Sequence, residues 1–197
     1  MLALGFLTVI SEFMDFGPFA NSRISVSIVL IFAAGAFSGL PGAVPIAGVC
    51  ATADAVAHPK PFYKAAFNLG VLVATGAVYC GVVSVFSVDA HDWTARLGPS
   101  MAAAGAAYIV NSGLVTMAIS TDNRIDPFSV WSSRFRWLLP HYVVMGLLAV
   151  LLALAYDRWD MAGLVLFLVP LAMAWLAMKQ YADSVVGMRP ATSGTTA

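Results

Sequence analysis

"VWSSRFRWLLPHYVVMG", residues 130–146, sets three aromatics and two arginines into eight positions and then turns apolar. A stretch of this kind suits a binding site, a nucleic-acid patch or the point where a chain enters a lipid bilayer, and the choice decides the fold. With Phe128 just upstream, the aromatics Phe128, Trp131 and Phe135 recur at i, i+3 and i+7, one face of a helix. Ser132, Arg134 and Arg136 fall elsewhere around it, and Pro127 suits a first helical turn. Aromatics at headgroup depth with flanking arginines describe an interfacial helix on an anionic leaflet. That reading assigns Trp131, Arg134, Phe135, Arg136 and Trp137 to the membrane interface. A nucleic-acid patch would need more cations than these.

The rest of the chain agrees. Hydrophobic residues make up 60% of its 197 residues and charged residues 10%, and the mean hydropathy is +0.86. A soluble domain carries about 25% charged residues, because it must cover its surface. Ten Lys/Arg balance ten Asp/Glu, so no global field draws the chain to nucleic acid. Cys50 and Cys80 lie in apolar runs without metal-ligand spacing and are expected to be small buried hydrophobes. "MLALGFLTVI" lacks the basic start and small-residue cleavage site of a signal peptide.

Four apolar spans stand out, at about 65–86, 100–119, 138–156 and 161–178. At ~1.5 Å per residue each is long enough for a bilayer core of ~30 Å. Met1–Met14 is apolar but short and is followed by Asp15. Residues 24–57 are too long for one span and are interrupted by "SGLPGAVP". Pro41 and Pro45 cannot donate backbone hydrogen bonds, and Gly39 and Gly42 loosen the turn. The expectation is a broken helical pair, about 24–38 and 42–57, within an all-α polytopic integral membrane bundle of six to seven transmembrane helices. Residues 1–181 form the transmembrane domain, and 182–197 form a flexible polar tail.

The cations set the orientation. The 58–65 and 120–136 loops and the C-terminal segment hold Lys60, Lys64, Arg124, Arg134, Arg136, Lys179 and Arg189, seven against Arg96 and Arg158 in the opposite loops. Cytoplasmic loops retain Lys and Arg, which places the C-terminus in the cytoplasm. Arg23 joins the inside if 24–57 is a hairpin and the outside if it is one kinked passage.

Ionisable and amide groups inside spans are the natural candidates for a ligand site, because they are costly in lipid. They are Glu12, Asp54, Asn68 and Asn111. Asp54 lies one turn before His58, with Lys60 and Lys64 beyond, and also reads as an interfacial carboxylate paired with those cations. Asn68 and Asn111 also read as interhelical glue. His141 follows Pro140 at a helix entrance. Asp157 and Asp160 flank a short external turn and read as helix caps. Gly35 and Gly39, and the run "MAAAGAAY", give smooth faces on which helices approach closely and slide. His91-Asp92 is an isolated doublet, and no phosphate-cradling loop, nucleophile elbow or zinc-protease motif is present. No enzyme, metal or cofactor is expected.

"RISVSIVLIFAAGAFSGLPGAV" after Glu12, then "PFYKAAFNLGVLVATGAVY", "AAYIVNSGLVTMAI", "FRWLLPHYVVMGLLAVLLALAY" and "LVLFLVPLAMAWLAMKQY", follow one another in an order that resembles a known family. It is the N-terminal multi-pass membrane region preceding HD-GYP or HD phosphohydrolase and GGDEF cyclase modules in bacterial signalling proteins. The resemblance covers roughly 3–181, most specifically Phe67-Asn68, Tyr108 with Asn111, and Phe135 to Pro140. It implies a sensor-like input module in the bacterial cytoplasmic (inner) membrane, binding a small ligand or lipid. Its partners would be the lipid bilayer and a cytoplasmic HD-GYP/GGDEF output or a second copy, with no nucleic acid. Two features depart from that pattern: after Tyr181 only "ADSVVGMRPATSGTTA" follows, and the apolar sequence before Glu12 is short. A looser likeness, in architecture alone, is to the substrate-capturing membrane subunits of energy-coupling-factor vitamin transporters. In either case the pocket is expected between the broken pair and the spans carrying Asn68 and Asn111. The 120–136 loop and the C-terminal segment would read it out.

Overall fold

The computed structural model describes residues 27–86 and 93–160, together with 5, 8, 162 and 163. Glu12, the 1–14 segment, the fourth apolar span at 161–178 and the 182–197 tail lie outside the described residues. Helices α1 (Ser27–Ser38), α2 (Leu40–Ala57), α3 (Phe62–Val85), α4 (Trp93–Asn123) and α5 (Pro127–Arg134) follow in order. A single 3-10 turn, Arg136–Leu138, then leads into α6, residues 139–160. Among the described residues there is no strand. Four helices among the described residues are long and apolar enough to cross a membrane: α2, α3, α4 and the continuous stretch Arg136–Asp160, with mean hydropathies from 1.4 to 2.2. Helix α1, though apolar, is shorter.

The break expected inside 24–57 falls at Gly39, whose φ of 62° and ψ of −148° suit glycine alone. Helix α2 restarts at Leu40, two residues before the expected 42, because Pro41 occupies a first-turn position where its missing N–H leaves nothing unpaired. Packing against α3 shows that the chain reverses here. Ile31 lies against Gly76, Gly35 against Cys80, and Phe37 shares a cavity wall with Val83, so α1 runs parallel to α3. Ala43 lies against Gly76 and Asp54 bonds Asn68, so α2 runs antiparallel to it. Residues 27–57 therefore form a hairpin and not one kinked passage.

Residues 29–34 of α1 are all buried. Six consecutive residues sample every side of a helix, so protein encloses this stretch all round. The most buried aromatic pair stands here, Phe32 stacked on Tyr79 with ring centroids 4.2 Å apart. Cys50 and Cys80 are buried and unbridged, as expected of small core residues.

Helix α4 begins at 93 rather than 100 and ends at 123 rather than 119. The hydropathy edge marks the lipid boundary, and a helix stops where its backbone pairing stops. Thirty-one residues extend about 46 Å, longer than a ~30 Å hydrocarbon core. Helix α5 starts at Pro127, and Asp126 caps it by accepting a hydrogen bond from the Ser129 N–H at 2.7 Å. It folds back along α4, because the Tyr108 hydroxyl donates to the Phe135 carbonyl at 2.9 Å. Phe135 ends the helix, so the three aromatics do not share one continuous helical face.

Helix α6 packs on α4 where Gly146 meets Ser100 and Ala104. A Cβ at Gly146 would stand 2.6 Å from the Ala104 Cβ and 2.8 Å from the Ser100 carbonyl oxygen. Glycine is required for so close an approach of two backbones. The short residues of "MAAAGAAY" supply the other side of this seam.

Candidate functional site

Two polar centres lie at opposite ends of the bundle. The first is where α2 passes to α3. Asp54, in the last turn of α2, takes the Lys60 ammonium at 2.5 Å and the Asn68 amide at 2.9 Å on the same carboxylate oxygen. Its other oxygen is 3.4 Å from His58 Nδ1. The sequence placed Asp54 beside His58 and Lys60; the structure adds Asn68 from α3, one and a half turns past the loop. Every carboxylate oxygen is engaged, so the cluster works as a clasp between α2 and α3.

Asn111 does not join it. Its amide donates to the Thr75 hydroxyl at 3.1 Å, and that hydroxyl donates to the Val71 carbonyl at 2.7 Å. Asn111 thus ties α4 to α3 two turns above Asn68. Below it on α4, the hydroxyls of Ser112, Thr116 and Ser120, spaced by four, are buried without a hydrogen-bond partner. The interfacial set is divided by burial. Trp131 packs against the core cluster, Phe135 is half-buried, and Arg134, Arg136 and Trp137 are exposed.

The second centre is a half-open cavity of about 180 Å³ at the Gly39 end, bounded by α1, α3, α4 and α6. Neither Asn68 nor Asn111 lines it. Its floor is polar and fully buried: the Tyr79 and Ser100 hydroxyls are hydrogen-bonded. Ser100 also donates to the Gly146 carbonyl at 3.0 Å. A serine hydroxyl has one proton, so Tyr79 is the donor to Ser100 and the bonds run Tyr79 to Ser100 to Gly146. Phe37, Val83, Val150 and Leu154 give apolar walls. Arg96 and Asp157, half-buried and exposed respectively, are shallower and mark the mouth. No ion pair among the described residues holds either of them.

From this floor an aromatic line crosses the bundle. Tyr79 stacks on Phe32; Phe32 meets Tyr142 edge-on at 6.4 Å; Tyr142 meets Tyr108 at 5.4 Å; and Tyr108 bonds the Phe135 carbonyl. Sequence reading gave Arg96 only a place in the charge tally and Asp157 a capping role. The available signal was their shared position, each within a turn or two of the same predicted membrane boundary. Among the described residues no three His, Cys, Asp or Glu side chains converge as a metal site would need. No family model, curated protein or solved structure matches the chain.

Proposed function

We propose that this chain is a non-enzymatic, multi-pass sensor-like module of the bacterial inner membrane that takes a small ligand into the Gly39-end cavity and passes its occupancy to a cytoplasmic output. The observation that carries this reading is the aromatic line, which joins the cavity floor to the α5–α6 junction without a gap. Coupling between sites needs an element with two arrangements that both sites bias. The α4–α6 seam, where Ser100 bonds the Gly146 carbonyl and Tyr79 of α3 bonds Ser100, is that element in this reading, its two arrangements differing in whether the hydrogen-bond chain is made.

Charge sets the orientation. Lys60, Lys64, Arg124, Arg134 and Arg136 gather at the clasp end, which the positive-inside bias puts in the cytoplasm. With 27–57 a hairpin, the same count takes Arg23 inside, and the full chain then has six to seven spans and a cytoplasmic C-terminus. Aromatic depth supports a full crossing by α6. Exposed Trp137 and Trp159 bracket α6 about 33 Å apart along its axis, close to the ~30 Å of a hydrocarbon core.

The test fills the cavity from within. Ala36→Phe or Ala153→Phe adds a ring to its wall, and a spin label on Ser133→Cys reports at α5. The native cysteines are buried, so the label goes to position 133. The sensor reading expects a change in label mobility with either filling variant, and unchanged spectra with both overturn it. Solute accumulation in vesicles containing the chain and an ATPase partner, with a silent label, establishes the rival uptake role.

A further inference from the structure

We infer that the cavity ligand is a zwitterion, carrying one anionic and one cationic group on a body of about six to eight non-hydrogen atoms; this rests on the cavity being the ligand site. Size comes first. A volume of about 180 Å³ is close to the ~150 Å³ known to hold benzene, so the cavity encloses a group of that size and not a whole nucleotide or steroid.

Charge comes second. Arg96 and Asp157 line the same cavity, yet they do not pair with each other. An anion alone would satisfy the Arg96 guanidinium and bring a second negative charge toward Asp157. A cation alone would do the reverse. A ligand with both signs meets both side chains at once, whereas a single ion meets one and is repelled by the other. The fork of the guanidinium suits a carboxylate or phosphate, and the carboxylate of Asp157 suits an ammonium. The depth gradient fixes the pose. Both charged groups of the ligand stay at the mouth with Arg96 and Asp157, and its short apolar part faces Phe37, Val83 and Leu154.

The same chemistry exists free in solution and in the headgroup of an aminophospholipid, since the cavity opens at the end where α6 leaves the bilayer core. The experiment therefore uses the full chain in nanodiscs of purely anionic phosphatidylglycerol. Phosphoethanolamine is titrated as the two-charge probe, with ethanolamine and inorganic phosphate as the one-charge probes. Phosphoethanolamine is expected to bind roughly tenfold tighter or more than either, one charge-assisted bond being worth about that factor. Arg96→Gln is expected to remove its advantage over ethanolamine, and Asp157→Asn its advantage over phosphate. Both side chains stand at the mouth, and unchanged helical circular dichroism verifies that the variants fold.

Repeating the titration in nanodiscs containing phosphatidylethanolamine separates the sources. Loss of the free probe's signal, with Arg96-dependent thermal stabilisation by the lipid, makes the headgroup the ligand. An unchanged titration makes it the free compound. Equal affinity for all three probes, wild-type behaviour of both variants, or no binding of any probe overturns the zwitterion. In that event a spin label at 133 that still responds to Ala36→Phe or Ala153→Phe leaves the sensor reading standing, and a label silent to both removes it too.

Discussion

The two ends of the bundle use the same chemistry in opposite ways. At the clasp end, a carboxylate and an ammonium meet directly, and Asn68 and His58 complete the coordination of Asp54. At the Gly39 end, a carboxylate and a guanidinium flank an open space and stay apart. The difference follows from connectivity. Asp54, His58 and Lys60 belong to one short helix-to-helix passage, so their closure orders little additional chain. Arg96 and Asp157 come from helices whose backbones are pinned elsewhere, at Ser100 and Gly146, and the cavity lies between them. A paired charge holds structure, and an unpaired one facing a cavity is available to something else.

Six substitutions break or sharpen this contrast, each read as the midpoint shift in reversible detergent unfolding. The largest effect is expected at the seam that keeps the Gly39 end apart. Gly146→Leu drives a side chain into the Ser100 backbone and should cost about 3 kcal/mol; a neutral result would mean that α4 and α6 are not in close contact. Next, Asp54→Ala removes the acceptor for Lys60 and Asn68 together and should cost about 2 kcal/mol. If it is silent, the clasp is ornamental and the contrast between the ends disappears.

Asn68→Leu and Asn111→Leu should each cost between about 0.6 and 1.7 kcal/mol, the range for interhelical bonds in membranes. Because neither lines the cavity, binding of phosphoethanolamine should be retained in both. Loss of binding in either would move the site toward the middle of the bundle. Smallest of all, Arg96→Gln and Asp157→Asn should change stability by no more than about 0.5 kcal/mol. A large loss there would show that these charges hold the fold and are not held ready for a ligand.

Much of the architecture was legible because lipid imposes simple rules. Apolar length gave α3 within a few residues at each end, and "SGLPGAVP" announced the break, which falls at Gly39 just before Pro41, while α2 runs on through Pro45. Hydropathy could not give the ends of α4, since that helix outruns the hydrocarbon core. Nor could it give the fold-back of α5, where Val130 and Trp131 pack inward and Tyr108 bonds the Phe135 carbonyl. Part of the polar chemistry was legible. Asp54 and Asn68 drew attention as polar groups in apolar surroundings, and they do meet, but their partner-rich environment makes them a fastening. The cavity escaped notice because its polar floor is Tyr79 and Ser100, residue types that look ordinary in any span. Its charges sit where a membrane boundary already accounts for them. Which helices enclose a void is a property of the packed whole, and no local pattern encodes it.

The enclosure of α1 also bears on how the protein is made. Phe32 is surrounded by partners from later helices, among them Tyr142, about 110 residues further along. When the ribosome has delivered only the first hairpin, α1 has α2 beside it and none of the partners that α3 and α6 supply. It must wait in the membrane, held to α2 across Gly39, until α6 has been synthesised and inserted. Completion of the bundle is thus a late event that depends on the distal half of the chain. A ribosome stalled before Tyr142 leaves an early helix unsheltered, a natural handle for the proteases that clear unfinished membrane proteins.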